Sequence, residues 1–227
     1  ESVIYVSHRN LSRISKISYP SGVVIWNMGL PADYNTGHEN ICTDLLFSWQ
    51  HNIQMLDNGD LLFFDNGVLS PILIGDSNPT SRIRRVRVID DMYCETIWQY
   101  DLPQNLYGPS GGSVQLLENG NYLIYTLGEG LGESERSIFE ITPDGEMIWK
   151  ASPDDVNIIW YRAYKFPNIY PDAFSVLFNQ YRKFNFDDNP SNSVIIDDES
   201  SSISFAIYNH SGYSQPYTFT ISDDNGW

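Results

Sequence analysis

The sequence has no apolar run approaching the roughly 20 residues that a membrane-spanning helix needs, and its first residues lack the basic start and apolar stretch of a secretory signal. Basic residues are scarce, with 13 Lys plus Arg against 29 Asp plus Glu and a formal net charge of −16. A surface so acidic repels nucleic acid and anionic membranes, so neither is expected as a partner, and an anionic ligand requires a local cationic pocket. Cysteine is limited to Cys42 and Cys94, which excludes a multi-cysteine zinc or redox motif and leaves one disulfide or two inert thiols. Helical periodicity is missing too, and no motif for a metal or cofactor is present.

What is present is a rhythm of short strands and turns. Residues 50–67, QHNIQMLDNGDLLFFDNG, hold two strand-like runs on either side of Asn58-Gly59, a pair that supplies the positive φ values of a tight hairpin. Gln50, His51, Asp65 and Asn66 bracket that hairpin with polar groups, and chemistry is expected there. QMLDNGDLLFF at 54–64 recurs as QLLENGNYLIY at 115–125, a spacing of 61 residues. Each copy is followed by an alternating strand, SRIRRVRVID or RSIFEITPDG, and then by a strand closing on Trp98 or Trp149. The opening segment supplies the later parts of the same unit, SRISKIS and GVVIW ending at Trp26, without the first Asn-Gly strand.

These units predict four short antiparallel strands each, the size of a propeller blade. The fold class read from them is all-β: a partial β-propeller of about three to four blades over 1–186, with a further strand near Ile158 to Phe166. An acidic linker follows at 187–202, and 203–227 reads as the start of a small β-hairpin or sandwich-like module. A propeller typically needs 4 to 8 blades. The ring is therefore expected to be completed by sequence outside these residues or by a second polypeptide. Residues 68–81 read as a loop insertion within the second unit. Trp26, Trp98 and Trp149 are expected as core wedges between blades. Composition rich in Asn, Ser, Tyr and Asp suits a secreted or periplasmic protein.

At QHNIQMLDNGDLLFFDNG the chain resembles the bacterial arylsulfotransferase family, with further matches at SHRNLSRISKI, GVVIW, SRIRRVRVID, GSVQLLENGNYLIY and Tyr161-Arg162-Ala163. The resemblance covers about residues 1–170. It implies a six-bladed propeller that moves a sulfuryl group from an aryl sulfate to a phenol through a sulfated histidine, without a cofactor. By this resemblance His51 matches an active-site histidine that binds sulfate or handles a proton. Gln50, Asp65, Asn66, Arg82 and Arg162 are the substrate-binding candidates, and the partner is an aryl sulfate or phenolic small molecule.

Two departures stand beside the match. The loop that carries the sulfated histidine in the family is GEGLGES at 128–134 here, without histidine. The arginine that follows Phe-Asp-Asn-Gly in the family is replaced by Val68, Leu69 and Ser70, the next arginine being Arg82. A non-catalytic secreted propeller binding a glycan, phenolic ligand or protein partner is the alternative. His8, His38 and His210 read as polar surface residues.

Overall fold

The structure, a computed structural model, describes residues 2–30, 40–128, 134–155, 157–166, 174–179, 181–186, 189–194, 204–210, 214 and 216–220, with 181–186 and 189–194 as backbone alone. The chain divides into two compact units, Glu1–Lys165 and Phe166–Trp227. Both are built from strands, and among the described residues helix is confined to single turns such as Ser70–Leu73. No helix of the described residues is long and apolar enough to cross a membrane.

The first unit holds three four-stranded sheets in succession. In the first, β1 (Ser2–His8), β2 (Arg13–Tyr19) and β3 (Val24–Gly29) run antiparallel, and β4 (Asn40–Ile41) adds to β3 in parallel. The second contains β5 (His51–Met55), β6 (Leu61–Asp65), β7 (Arg82–Ile89) and β8 (Tyr93–Asp101), paired in chain order and antiparallel throughout. The third repeats it with β9 (Ser113–Leu116), β10 (Tyr122–Thr126), β11 (Ser137–Ile141) and β12 (Met147–Ala151). The two Asn-Gly pairs sit at the β5–β6 and β9–β10 turns, with Gly59 and Gly120 at φ 85° and 86°.

Side chains in a strand point alternately to its two faces, so a strand buried on both reads as an unbroken apolar run. β6 is such a strand. Leu61 and Phe63 join Ile14, Trp26, Met28 and Phe47 in a core shared with the first sheet. Leu62 and Phe64 join Val114, Tyr122, Ile124 and Phe139 in a core shared with the third. Full burial of each Leu or Phe is worth about 1.5–3 kcal/mol, and all four of these side chains are at most 1% exposed.

Tryptophans clasp each sheet to the next. Trp26, 1% exposed, donates its indole N–H to Asp91 Oδ1 at 2.7 Å, in the β7–β8 turn. Trp98 stacks on Tyr122 with ring centroids 3.9 Å apart and donates to the Pro143 carbonyl at 2.8 Å, in the turn after β11. Trp149 departs from the expected wedge role: it is 50% exposed. Among the described residues of the first unit no further sheet packs on its face, and it borders a cavity of about 550 Å³ with Leu123, Ile138 and Tyr164.

Residues 158–166 form no strand. They run beside β9 and bond through its side chains: Ser113 Oγ meets the Ala163 amide and carbonyl, and the Gln115 amide meets those of Lys165. Cys42 and Cys94 form a disulfide that ties the residue after β4 to β8.

In the second unit β13 (Phe174–Phe178) pairs with β16 (Phe205–Asn209), and β14 (Tyr181–Phe186) pairs with β15 (Asn189–Val194), both antiparallel. β15 thus lies inside the stretch whose composition reads as a linker; the rest of 187–202 lies outside the described residues. Phe174, Val176, Phe178, Phe205 and Ile207 alternate onto one face, where they line a cavity of about 450 Å³.

Asp60 closes the β5–β6 turn and is fully buried, bonded to Arg85 Nε at 2.8 Å and Arg87 Nε at 2.7 Å. Burial works to raise its pKa, but the contacts from Arg87, Asn58 and Arg85 outweigh it and hold the carboxyl below its ordinary value. Its contribution to stability is thus present above the unfolded-state carboxyl pKa of about 3.9 and is lost as pH falls through the folded value. Asp60→Asn is expected to cost about 3 kcal/mol in urea unfolding at pH 7, with unchanged m. A loss below about 1 kcal/mol would show that the two guanidiniums find equivalent partners in solvent.

Candidate active site

His51 opens β5, the first strand of the second sheet and one of its two edges. The β5–β6 ladder is irregular between His51 and Gln54, and Trp49, two residues before His51, and Asn52, the residue after it, have φ of 58° and 52°. Left-handed backbone is an outlier for tryptophan and tolerable for asparagine, and a bulge of this kind re-aims the neighbouring side chain. Asn52 pays out its hydrogen bonds across the interface: Oδ1 accepts from the Val114 amide at 2.9 Å and Nδ2 donates to the Tyr164 hydroxyl at 3.1 Å.

The ring of His51 is oriented by Asn66. Both amide hydrogens of Asn66 are taken by carbonyls, Gly108 at 2.7 Å and Gly111 at 3.0 Å, so its Oδ1 is the atom that faces His51 Nδ1, 2.7 Å away. Nδ1 therefore carries the hydrogen, and the lone pair of the neutral imidazole lies on Nε2. Burial lowers the pKa of His51, hydrogen bonding to Asn66 and to the Trp49 backbone opposes it, and the positive charges of Arg9 and Arg162 lower it further. The result at neutral pH is an uncharged ring with a fixed tautomer, able to accept a proton or attack an electrophile at Nε2.

The other predicted residues separate into two sets. Arg162 is exposed near the ring, its guanidinium 5.0 Å from the Tyr161 ring centroid and 3.5 Å from the Tyr164 hydroxyl. Gln50 is turned toward the first sheet, donating to Ser7 Oγ at 3.0 Å and the Arg13 carbonyl at 2.8 Å. Asp65 braces the loop: it accepts from the amides of Ser48 and Gly67 at 3.0 and 2.9 Å and from Arg84 Nε at 2.9 Å. Burial raises its pKa against the pull of Arg84 and those amides. Arg82 is buried in ion pairs with Asp76 at 2.5 Å and Asp101 at 3.1 Å, so the insertion holds it.

Two glycines explain the shape. Gly67, φ 64°, has the Thr80 carbonyl oxygen 1.7 Å from where a Cβ would lie. Gly112, the third-sheet counterpart of His51 in the repeat, has the Phe64 ring 2.9 Å from that point, so no side chain fits there.

His8 lies 3.1 Å from Ser15 Oγ. His210 belongs to the second unit, beside Ser175. His38 and residues 129–133 of the glycine-rich loop lie outside the described residues.

The sequence model of the arylsulfotransferase (ASST) family matches residues 1–167. The chain belongs to the arylsulfotransferase family. Among curated proteins none matches it closely enough to count as a relative. The arylsulfotransferase match spans all three four-stranded sheets and His51, and it ends near the division between the two units. Arg9 and Trp49 are neighbours of His51 that no motif in the sequence singles out. Arg9 lies with its guanidinium 4.3 Å from the Trp49 ring centroid, a contact between sheets that no local spacing announces.

The His51 imidazole is expected to titrate below 6.5 by NMR and to be neutral at pH 7. Because the unfolded chain takes up the proton first, this ring's contribution favours unfolding as pH falls through 6.5. Asn66→Ala is expected to lower the pKa further and to mix the tautomers, read from the ring 15N shifts. An unchanged Nδ1–H tautomer in that variant would remove Asn66 from the orienting role.

Proposed function

We propose that the three four-stranded sheets are consecutive blades of a six-bladed arylsulfotransferase-like propeller and that His51 is the proton-handling residue of a sulfuryl-transfer site. The observation that carries this reading is the neutral, Asn66-oriented imidazole within a family match over residues 1–167. As the acceptor phenol's oxygen bonds to sulfur, its proton passes to Nε2. The bond from sulfur to the donor aryl oxygen breaks, its electron pair leaves on the donor phenoxide, and that phenoxide takes up the proton from Nε2, which restores the neutral imidazole. The three equatorial sulfuryl oxygens need fixed positive partners in that transition state, and Arg162 stands beside the ring. Within this reading Asn66 is a positioning residue, and Gln50 and Asp65 hold the frame. Arg82, committed to Asp76 and Asp101, enters only as an anchor of the insertion.

The Cys42–Cys94 disulfide supports a secreted or periplasmic location, because such bonds persist in oxidising compartments. The remaining blades come from sequence beyond these residues or from a second polypeptide. A second reading, a non-catalytic propeller that binds a glycan, a phenolic ligand or a protein, draws on the loop at 128–134, whose sequence has no histidine to be sulfated.

Release of p-nitrophenol from p-nitrophenyl sulfate with a phenol acceptor decides between them. His51→Ala is expected to reduce kcat at least about a hundredfold. Release equal to that variant's in the unmodified protein leaves the binding module.

A further inference from the structure

Carboxylates outnumber cations more than two to one in this chain, so an unpaired cation is conspicuous. Seven Lys and Arg side chains form ion pairs: Lys16, Arg82, Arg84, Arg85, Arg87, Lys150 and Lys165. Arg13 and Arg136 are buried and donate to backbone carbonyls, of Leu30 for the first and of Leu127 and Ile158 for the second. Among the described side chains that leaves Arg9 and Arg162, neither in an ion pair, and they lie beside the same imidazole. Arg9 stacks on Trp49, two residues before His51, and gives only Nη1 to Asn10 Oδ1 at 2.9 Å. Arg162 reaches the Tyr164 hydroxyl, which is hydrogen-bonded to Asn52, the residue after His51. Asp65, the acid next to Asn66, is turned away to Ser48, Gly67 and Arg84.

We infer that Arg9 and Arg162 are the anion-binding residues of the His51 site, receiving the oxyanion head of a sulfate-ester ligand from two sides, with Trp49 holding Arg9 in place. A guanidinium presents a planar fork of donors that matches two oxygens of a tetrahedral oxyanion, and it keeps its charge at any working pH. The stacking contact orders Arg9 without consuming its donor edge. Both charges also lower the pKa of His51, so their fields reach the ring that would face the anion. Val68, Leu69 and Ser70 put no cation on the loop after Asn66 and Gly67. Arg9, from the turn between β1 and β2, and Arg162, from the segment beside β9, supply the positive charge that this loop lacks.

The choice of sulfate rests on the proposed function, but binding does not require turnover. The full 227-residue chain is titrated with inorganic sulfate at pH 7 and low ionic strength, chloride-matched, following the His51 ring resonances, assigned by their loss in His51→Ala. Arg9→Gln and Arg162→Gln are each expected to weaken sulfate binding about tenfold. Arg9→Lys, which keeps the charge, recovers part of the loss, and Lys150→Gln, on an outer strand, leaves it unchanged. Unchanged affinity in both glutamine variants, or resonances of the unmodified chain that ignore sulfate, overturns the inference. Sulfate binding that depends on both arginines without sulfuryl transfer sinks the enzymatic reading and keeps this one. Turnover with an unaltered KM for the sulfate ester in both variants does the reverse.

Discussion

Everything in the first unit depends on β6 being buried on both faces at once. Its four central side chains alternate into two separate cores, so one strand fixes the second sheet against the first and the third. The same alternation runs past the apolar part. Asp65 follows Leu61 and Phe63, and it ties the loop through Ser48 and Arg84. Asn66 follows Leu62 and Phe64, and it bridges His51 to the carbonyls of Gly108 and Gly111. A one-residue slip of β6 would exchange these roles along with the cores, so packing and the orientation of the imidazole share a single register.

The repeat conserves contacts more than residues. In the second sheet the acid sits in the hairpin, Asp60, and its partner Arg85 sits on β7. In the third the acid is Glu140 on β11, opposite Leu123 as Arg85 is opposite Leu62, and the hairpin offers the amide of Asn121 at 2.8 Å. Charge has been reversed at one position while the tie between turn and strand is kept.

What the sequence made legible follows from local chemistry. Asn58-Gly59 and Asn119-Gly120 announce their hairpins because few pairs tolerate those φ values, and the two-faced burial of LLFF is written as four apolar residues in a row. Tryptophan spacing marks one side of each clasp but not its partner, so Trp149 reads like Trp26 in sequence although it is half exposed. The strand expected at 158–166 failed for a related reason: Ser113 and Gln115 meet that backbone with side chains, and no periodicity encodes such a ladder. Gln50-His51 is conspicuous in the sequence because it stands beside the hairpin. Arg9 carries no such mark, since it lies 42 positions and a sheet boundary away from His51. Arg82 looked available for an anion because Asp76, six residues earlier, gives no sign in sequence that the insertion folds back on it.

Gly112 and Phe64 carry a consequence for how this architecture can diversify. The ring of one fills the volume that any β-carbon on the other would require, so the third sheet cannot acquire an imidazole at the place equivalent to His51 by one codon change. Shrinking the aromatic first would open a void in the shared core, and enlarging the glycine first would force the sheets apart. The two positions must drift as a couple, which keeps neighbouring repeats functionally unequal even where their sequences stay alike.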